Sequence, residues 1–295
     1  MRHITSILFS AVLLLSTSSL AMPTAESRHE LVPRGEYIGL WNGTGPVVYD
    51  VKQVSVLNCW WAASTLSVLI ASQNWVMNMI RYGNVAPMAG VSWPQDGTVL
   101  VQIWNPYTLE PEYEIAYADK KSTTEDHYYG PWWHDALSQA AKTFATRVEF
   151  PGIFHSNGTF DPTQGSAKIG LSLLTGFKST SKLTSDYPDA DAFWADLARA
   201  SQNTPVIFNT VSKDYIGTTK PQLGDSHDYA VFNGTIKADG SKTIWARNSW
   251  GSTDEFELQD VYKNTYQIFH LEDWNNLEQK GDHYPFSILN TNRRT

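Results

Sequence analysis

Residues 226–251 read SHDYAVFNGTIKADGSKTIWARNSWG, and this stretch contains the clearest structural signal in the chain. Its segments 229–236 and 243–248 are rich in β-branched and aromatic residues, and Asp239-Gly240 lies between them. An Asp-Gly pair between two such segments predicts a β-hairpin. A two-residue turn at this pair would place Asn248 opposite Val231, four residues beyond His227. A bulge or a strongly curved sheet is therefore needed to bring Asn248 next to His227.

Helical spacing of apolar residues dominates the part of the chain that precedes this hairpin. Asp189 and Asp191 are suitable N-caps for the last of the predicted helices. The expected helices cover residues 59–81, 132–145, 170–174 and 192–201.

Strand signals flank and follow these helices. Val99, Val101 and Ile103 alternate with other residues before the Asn105-Pro106 turn, as one face of a half-buried strand would. Further strands are expected within residues 86–118 and at 206–211 and 266–270. A helical half followed by a strand-rich half predicts an α+β fold. We place a boundary in the polar stretch 178–188, which gives a helical lobe over residues 46–185 and a β lobe over 186–295.

The N-terminus has the pattern of a secretory signal. Arg2 supplies the positive end, residues 7–15 are apolar, and Ser19 with Ala21 gives a small-x-small cleavage site, so residues 1–21 are expected to be removed. The apolar run is shorter than the roughly 20 residues that a membrane-spanning helix needs. We expect a secreted, extracellular protein without a membrane anchor after the signal is removed.

Glycosylation sequons support the secretory route. Asn42, Asn157 and Asn233 each begin an Asn-Gly-Thr triplet, which predicts a glycan on a surface turn. Residues 22–45 are polar and contain several Pro and Gly residues. This composition predicts an extended N-terminal arm packed on the surface or a pro-segment.

Charge and cysteine content narrow the classes of function. The formal net charge of the 295 residues is -8, which disfavours nucleic acid as a partner. Cys59 is the only cysteine, so no internal disulfide can form. An unpaired thiol in an oxidising compartment is either buried and inert or present for its reactivity.

The surroundings of Cys59 favour reactivity. Cys59 follows Asn58, a good N-cap, so the thiol is expected in the first turn of a helix, where the helix dipole favours a thiolate. His227 precedes one predicted strand and Asn248 ends the next. A cysteine nucleophile needs an imidazole to exchange its proton, and the imidazole needs a group that orients it.

These motifs resemble the papain-like cysteine peptidase superfamily, and in particular its calpain-like branch. Gln53 lies six positions before Cys59-Trp60, and Ser226-His227-Asp228-Tyr229 is followed by Arg247-Asn248-Ser249-Trp250-Gly251. The resemblance covers residues 51–254 and includes the predicted helix 132–141. It implies a two-lobed fold, with a helical N-terminal lobe, an antiparallel β C-terminal lobe and a cleft between them.

The resemblance also implies a role for each matching residue. Cys59 would attack a peptide carbonyl, His227 would exchange the proton, and Asn248 would orient the imidazole. The side chain of Gln53 and the backbone N–H of Cys59 would stabilise the oxyanion, and Trp250 would shield the His227–Asn248 hydrogen bond. Trp60 is a supporting residue of the cysteine motif.

The resemblance implies a secreted cysteine endopeptidase that acts on proteins or peptides through a thioester. We expect it to be a monomer. The sequence requires no cofactor, although related calpain-like enzymes often need calcium, so the resemblance leaves calcium open.

Three residues depart from the family pattern. Val54 and Leu57 occupy positions where relatives usually have Gly, and both restrict the backbone of the oxyanion loop. Asp228 replaces a small residue after the histidine, and its carboxylate is expected to raise the pKa of His227.

Two other functions therefore stay open. One is a catalytically degenerate papain-like protein that binds peptides without cleaving them. The other is a carbohydrate-binding protein, suggested by 12 tryptophans, although their scattered positions fit core packing better.

Overall fold

A computed structural model describes residues 39–41, 45–53, 58–81, 98–118, 131–148, 165–279 and 284–286. The expected signal sequence, most of the expected arm, and the sequons at Asn42 and Asn157 lie outside the described residues. Val54 and Leu57 also lie outside them. None of the helices in the described part of the chain has the length and apolar character needed to span a bilayer.

The described residues form six α-helices. They are α1 (Cys59–Ala71), α2 (Gln73–Asn78), α3 (Trp133–Ala145), α4 (Ala167–Thr175), α5 (Ala190–Ala198) and α6 (Leu258–Asn264). The single helix expected over residues 59–81 is wrong because Ser72 adopts an extended conformation between α1 and α2. Its side chain accepts a hydrogen bond from the Trp75 backbone N–H and so caps a second helix. The expected Asp189 cap of α5 is confirmed, since Asp189 accepts from the Ala192 N–H at 2.8 Å.

A small antiparallel sheet contains β1 (Ile80–Arg81), β2 (Thr98–Trp104) and β3 (Pro111–Tyr117) in that order. The alternation of Val99, Val101 and Ile103 is confirmed, because all three side chains are buried. Asn105 builds the expected turn by accepting the Tyr107 N–H at its side-chain oxygen.

A larger sheet contains β4 (Ser179–Leu183), β5 (Val206–Thr210), β6 (Asp228–Ile236), β7 (Lys242–Asn248), β8 (Thr253–Glu257) and β9 (Thr265–Leu271). The strand order is β4-β9-β5-β6-β7-β8, and each neighbouring pair is antiparallel. Helices with antiparallel sheets confirm the α+β class. The lobe boundary expected in the stretch 178–188 falls at β4, a strand of this same sheet.

The β6–β7 hairpin reaches its register through two irregularities. The Lys237 N–H donates to the Ser241 carbonyl, so the connection is a three-residue loop with Gly240 at φ +85°. A β-bulge between Val231 and Asn233 shifts the register again. Asn248 therefore pairs with Tyr229 instead of Val231, which confirms that a bulge brings Asn248 towards His227.

Two hydrophobic cores cover the two faces of the larger sheet. The first joins α1, α3, α4 and the small sheet to sheet residues such as Ile207 and Ala230. The second joins α5 and α6 to side chains such as Phe208 and Ile244. Leu40 and Trp41 are buried in the first core, so this end of the expected arm packs inside the fold and not on its surface.

Candidate active site

Cys59 is the first residue of α1, as the sequence predicts, and its side chain is partly exposed. Asn58 occupies the N-cap position, but its side chain makes no capping hydrogen bond. The Asn58 carbonyl instead accepts the N–H groups of Trp61 and Ala62. The Cys59 N–H belongs to the first helical turn, where backbone donors have no partner within the helix.

His227 and Asn248 are joined by the expected hydrogen bond. Nε2 of His227 lies 2.8 Å from Oδ1 of Asn248, and the same oxygen accepts the Trp250 backbone N–H at 2.8 Å. This second bond fixes the orientation of the amide. Because Oδ1 only accepts, Nε2 carries the proton in the neutral ring and Nδ1 keeps its lone pair. The tautomer is the one that leaves Nδ1 ready to take a proton.

Ser249 links Gln53 to this pair. The Ser249 hydroxyl donates to Oε1 of Gln53 at 2.8 Å and lies 2.9 Å from Nε2 of His227. The Gln53 backbone N–H donates to the Ser249 carbonyl at 2.7 Å, which fixes the two segments together. Because Oε1 faces Ser249, the amide nitrogen of Gln53 points to the other side.

Aromatic side chains enclose the imidazole. The Trp250 ring stacks on His227 at a centroid distance of 4.1 Å, and Tyr229 presents its edge at 5.2 Å. Trp250 is 51% exposed, so it is a cover over the imidazole and not a core residue. Its position agrees with the expected shielding of the His227–Asn248 bond.

The backbone around His227 is held by Thr210. The Thr210 hydroxyl accepts the His227 N–H at 2.9 Å and donates to the Gly224 carbonyl at 2.6 Å. Ser226 just before the histidine has φ +47°, a left-handed conformation that non-glycine residues adopt only when their surroundings enforce it. The strand connection is therefore built to fix the position of His227.

The Cys59 thiol forms a hydrogen bond to Asp228. Its Sγ lies 4.0 Å from Oδ2 of Asp228, and this is its only side-chain hydrogen bond among the described residues. The bonds of the His227 ring to Asn248 and Ser249 both involve Nε2. Among the described residues the thiol therefore makes no hydrogen bond to the imidazole, and it bonds the carboxylate of the residue that follows His227.

The pKa shifts of Cys59 and His227 both favour the neutral form of the side chain. Burial, followed by the negative charge of Asp228, raises the pKa of Cys59 to about 11, although the backbone N–H groups of Asp228, Trp60 and Cys59 oppose this change. Burial lowers the pKa of His227, against the hydrogen bond to Asn248 and the charge of Asp225. The expected thiolate is wrong for this conformation, and so is the expected rise of the histidine pKa through Asp228.

Trp60 is a packing residue at the start of α1. It is buried and lies 5.7 Å from the Trp61 ring in an edge contact. Gly165 packs against its ring so closely that a Cβ would overlap it. Six further tryptophans are also buried, which favours core packing over a carbohydrate-binding stripe: Trp41, Trp61, Trp75, Trp104, Trp132 and Trp133.

The described sequon does not lie on the expected surface turn. Asn233 is a half-buried residue of β6, next to the bulge, and its side-chain oxygen is buried. The turn of this hairpin comes later, at residues 238–240. Glycosylation of Asn42, Asn157 and Asn233 stays a prediction.

The resemblance leaves a calcium ion open, and the side chains of the described residues bear on this question. No group of three or more His, Cys, Asp or Glu side chains there is arranged to hold a metal ion. Calcium prefers six to eight oxygen ligands, many of them carboxylates.

Sequence reasoning missed two contributors to this site. Ser249 directly follows Asn248 in the same motif. A hydroxyl next to the residue predicted to orient His227 was the sequence feature that could have indicated its role. Thr210 ends a different strand, and its hydrogen bond to His227 depends on the pairing of β5 with β6. No local pattern indicates that contact.

No model of a known protein family matches the chain, and no curated protein matches it. The resemblance to papain-like peptidases therefore rests on the motifs around Gln53, Cys59, His227 and Asn248.

Proposed function

We propose that the chain is a secreted cysteine endopeptidase of the papain-like, calpain-like type, with the two-lobed fold of that family. The observation that carries this proposal is the bond between His227 and Asn248, which leaves Nδ1 of the imidazole as a proton acceptor. The partly exposed thiol at the start of α1 supports it, because Sγ contacts the residue directly after His227. Substrates would be proteins or peptides.

The reaction begins with a change in the Cys59 side chain. Rotation about its Cα–Cβ bond would turn Sγ towards Nδ1 of His227. The thiol proton then passes to Nδ1, and the thiolate attacks the peptide carbonyl. The imidazolium protonates the leaving amine, and a thioester on Cys59 remains. Water, activated by the neutral imidazole, hydrolyses the thioester and restores the enzyme.

Asn248 and Trp250 serve the proton transfers. The Asn248 oxygen holds Nε2–H through both steps, so the ring keeps the correct tautomer. The Trp250 ring excludes water from one face of the imidazole and strengthens that bond.

Two donors would stabilise the oxyanion. The Cys59 N–H has no partner within the helix and lies at the positive end of the α1 dipole. The Gln53 amide, oriented by Ser249, would supply the second donor. Loss of one such donor typically reduces kcat by about 10²–10³-fold in comparable sites.

The test is digestion of an unfolded protein by the mature secreted chain. Cys59→Ser and Asn248→Ala should lose most of the activity, whereas Asn275→Ala, a matched change in the loop after β9, should keep it. Digestion by Cys59→Ser at the rate of the unchanged protein would refute the proposal. Parallel reactions with and without calcium test the open question of the metal.

A second candidate is the catalytically degenerate protein that binds peptides in the same cleft. The neutral thiol and its contact with Asp228 in place of His227 favour it. This candidate predicts binding of an unfolded peptide, measured by fluorescence anisotropy, without cleavage. Detection of peptide products that depend on Cys59 would exclude it.

A further inference from the structure

Asp228 is a buried carboxyl placed between the nucleophile and the sheet. It is the first residue of β6 and is 4% exposed. Its Oδ1 accepts the side-chain amide of Asn209 on the neighbouring strand β5 at 2.9 Å. Its Oδ2 lies 4.0 Å from Sγ of Cys59 at the start of α1. The carboxyl therefore has one neutral donor on one side and the thiol on the other.

No cation balances this carboxyl among the described residues. The helix α1 and the strand β5 contain no Asp, Glu, Lys, Arg or His. On β7, Lys242 pairs with Asp191 at 2.8 Å, and Arg247 bonds Thr253 at 2.9 Å. The helix α5 and the turn after it pack on β6 near Gly234. Their charged side chains form ion pairs elsewhere: Asp191 with Lys242, and Asp196 with Lys182 and Arg199. His227, which directly precedes β6, bonds Asn248 and Ser249.

A buried carboxylate without a cation is a poor neighbour for a thiolate. Two negative charges about 4 Å apart repel each other strongly when water is excluded. A neutral carboxylic acid at the same place does the opposite, because it donates a hydrogen bond to the sulfur anion. Burial raises the pKa of Asp228 to about 7, against the bond from Asn209, so both forms exist near neutral pH.

We propose that Asp228 is a positioning residue that keeps Cys59 a neutral thiol while the carboxyl is ionised, and permits the thiolate–imidazolium pair once the carboxyl is protonated. This inference rests on the proposed function, in which His227 takes the thiol proton. In the competent form His227 holds the proton from Cys59, and Asp228 keeps its own. The competent form therefore has the same total number of protons as the resting form with a neutral thiol, a neutral imidazole and a protonated Asp228. It is therefore lost when Asp228 releases its proton as the pH rises.

The test is the rate at which iodoacetamide alkylates Cys59 in the full chain between pH 5 and pH 9. Cys59 is the only cysteine, so the reaction reports this thiol alone. We compare Asp228→Asn with the unchanged protein and with Asp273→Asn, an exposed matched control. The ratio of the Asp228→Asn rate to the unchanged rate should be near one at pH 5.5 and about tenfold at pH 8, since one pH unit above a pKa leaves about a tenth of the acid form.

Rate profiles of Asp228→Asn and the unchanged protein that coincide over the whole range would overturn the inference. Circular dichroism checks that Asp228→Asn folds. If it does not fold, the same alkylation rates are measured on Asp228→Ala. Alkylation requires no peptide cleavage, so the two proposals fail separately. If the alkylation profile of Asp228→Asn is shifted but the protein digests nothing, the role of Asp228 is supported and the peptidase proposal is refuted. If the protein digests its substrate but the profile is not shifted, the peptidase proposal is supported and the role of Asp228 is refuted.

Discussion

Replacement of Asp228 by Asn should stabilise the fold at high pH and not at low pH. Burial raises the pKa of this carboxyl from 3.8 to about 7. Between these values the folded chain holds a proton that the unfolded chain has released. The free energy of unfolding therefore falls as the pH rises from about 4 to about 7, and it stays low above that range.

The magnitude follows from the size of that difference. Each pKa unit corresponds to about 1.4 kcal/mol, so the rise from 3.8 to about 7 gives at most about 4 kcal/mol. The amide side chain of the Asp228→Asn variant would have no charge to bury and would keep an oxygen for the Asn209 amide. The variant should therefore match the unchanged protein at pH 4 and exceed its free energy of unfolding by up to this amount at pH 8.

Urea unfolding followed by tryptophan fluorescence, repeated at each pH unit from 4 to 8, measures this difference. The Asp273→Asn control makes the same chemical change at an exposed site and should track the unchanged protein. A difference between Asp228→Asn and the unchanged protein that does not vary with pH would refute the reasoning. It would mean that Asp228 titrates like an ordinary surface carboxyl.

Three further substitutions test the packing of the site. Trp250→Ala should raise the pKa of His227 towards its ordinary value, because burial lowers that pKa and the Trp250 ring supplies part of the burial; NMR titration of the ring measures it. Ser249→Ala should lower the free energy of unfolding by about 0.5–1.5 kcal/mol, since it removes the hydroxyl that donates to the buried Gln53 side chain. Gly165→Ala should lower it by about 1–3 kcal/mol, because the new methyl group overlaps the Trp60 ring.

Controls for these changes lie elsewhere on the chain. Tyr215→Ala removes a 79% exposed aromatic ring and should leave the His227 pKa unchanged. Ser201→Ala removes an exposed hydroxyl and should have little effect on stability. An unchanged His227 pKa in Trp250→Ala, or unchanged unfolding curves in Ser249→Ala and Gly165→Ala, would contradict the respective contacts.

In the larger sheet, the strands that the sequence does not reveal are the two edge strands, and in the small sheet β1 lies within the helix expected over residues 59–81. β4 and β8 each have one neighbour, and most of their side chains are exposed or half-buried. Such strands need no apolar alternation, so their sequences look like loops. The inner strands β5, β6, β7 and β9 are rich in apolar and β-branched residues and were predicted within one or two residues. Hydrophobic pattern therefore identifies the strands that the core requires.

The candidate site also has features that the sequence predicts and features that it does not. Residue types and chain order pointed to Cys59, His227 and Asn248, and the hairpin arithmetic required the bulge that the structure has. The direction in which the thiol points was not predictable. It depends on a rotamer of Cys59 and on the pairing of β5 with β6, which brings Asn209 to Asp228. Such contacts come from tertiary packing, and no local sequence pattern encodes them.

Capture of the acyl-enzyme tests most directly whether the sulfur of Cys59 attacks a carbonyl with the help of His227. The full chain is mixed with a peptidyl nitrophenyl ester at pH 6, and the reaction is quenched in acid. After proteolytic digestion, mass spectrometry measures the mass of the peptide that contains Cys59. We predict the acyl group on Cys59 in the unchanged protein and none on that peptide in His227→Gln. Release of nitrophenol without acylation of Cys59, or equal acylation in His227→Gln, would contradict the account.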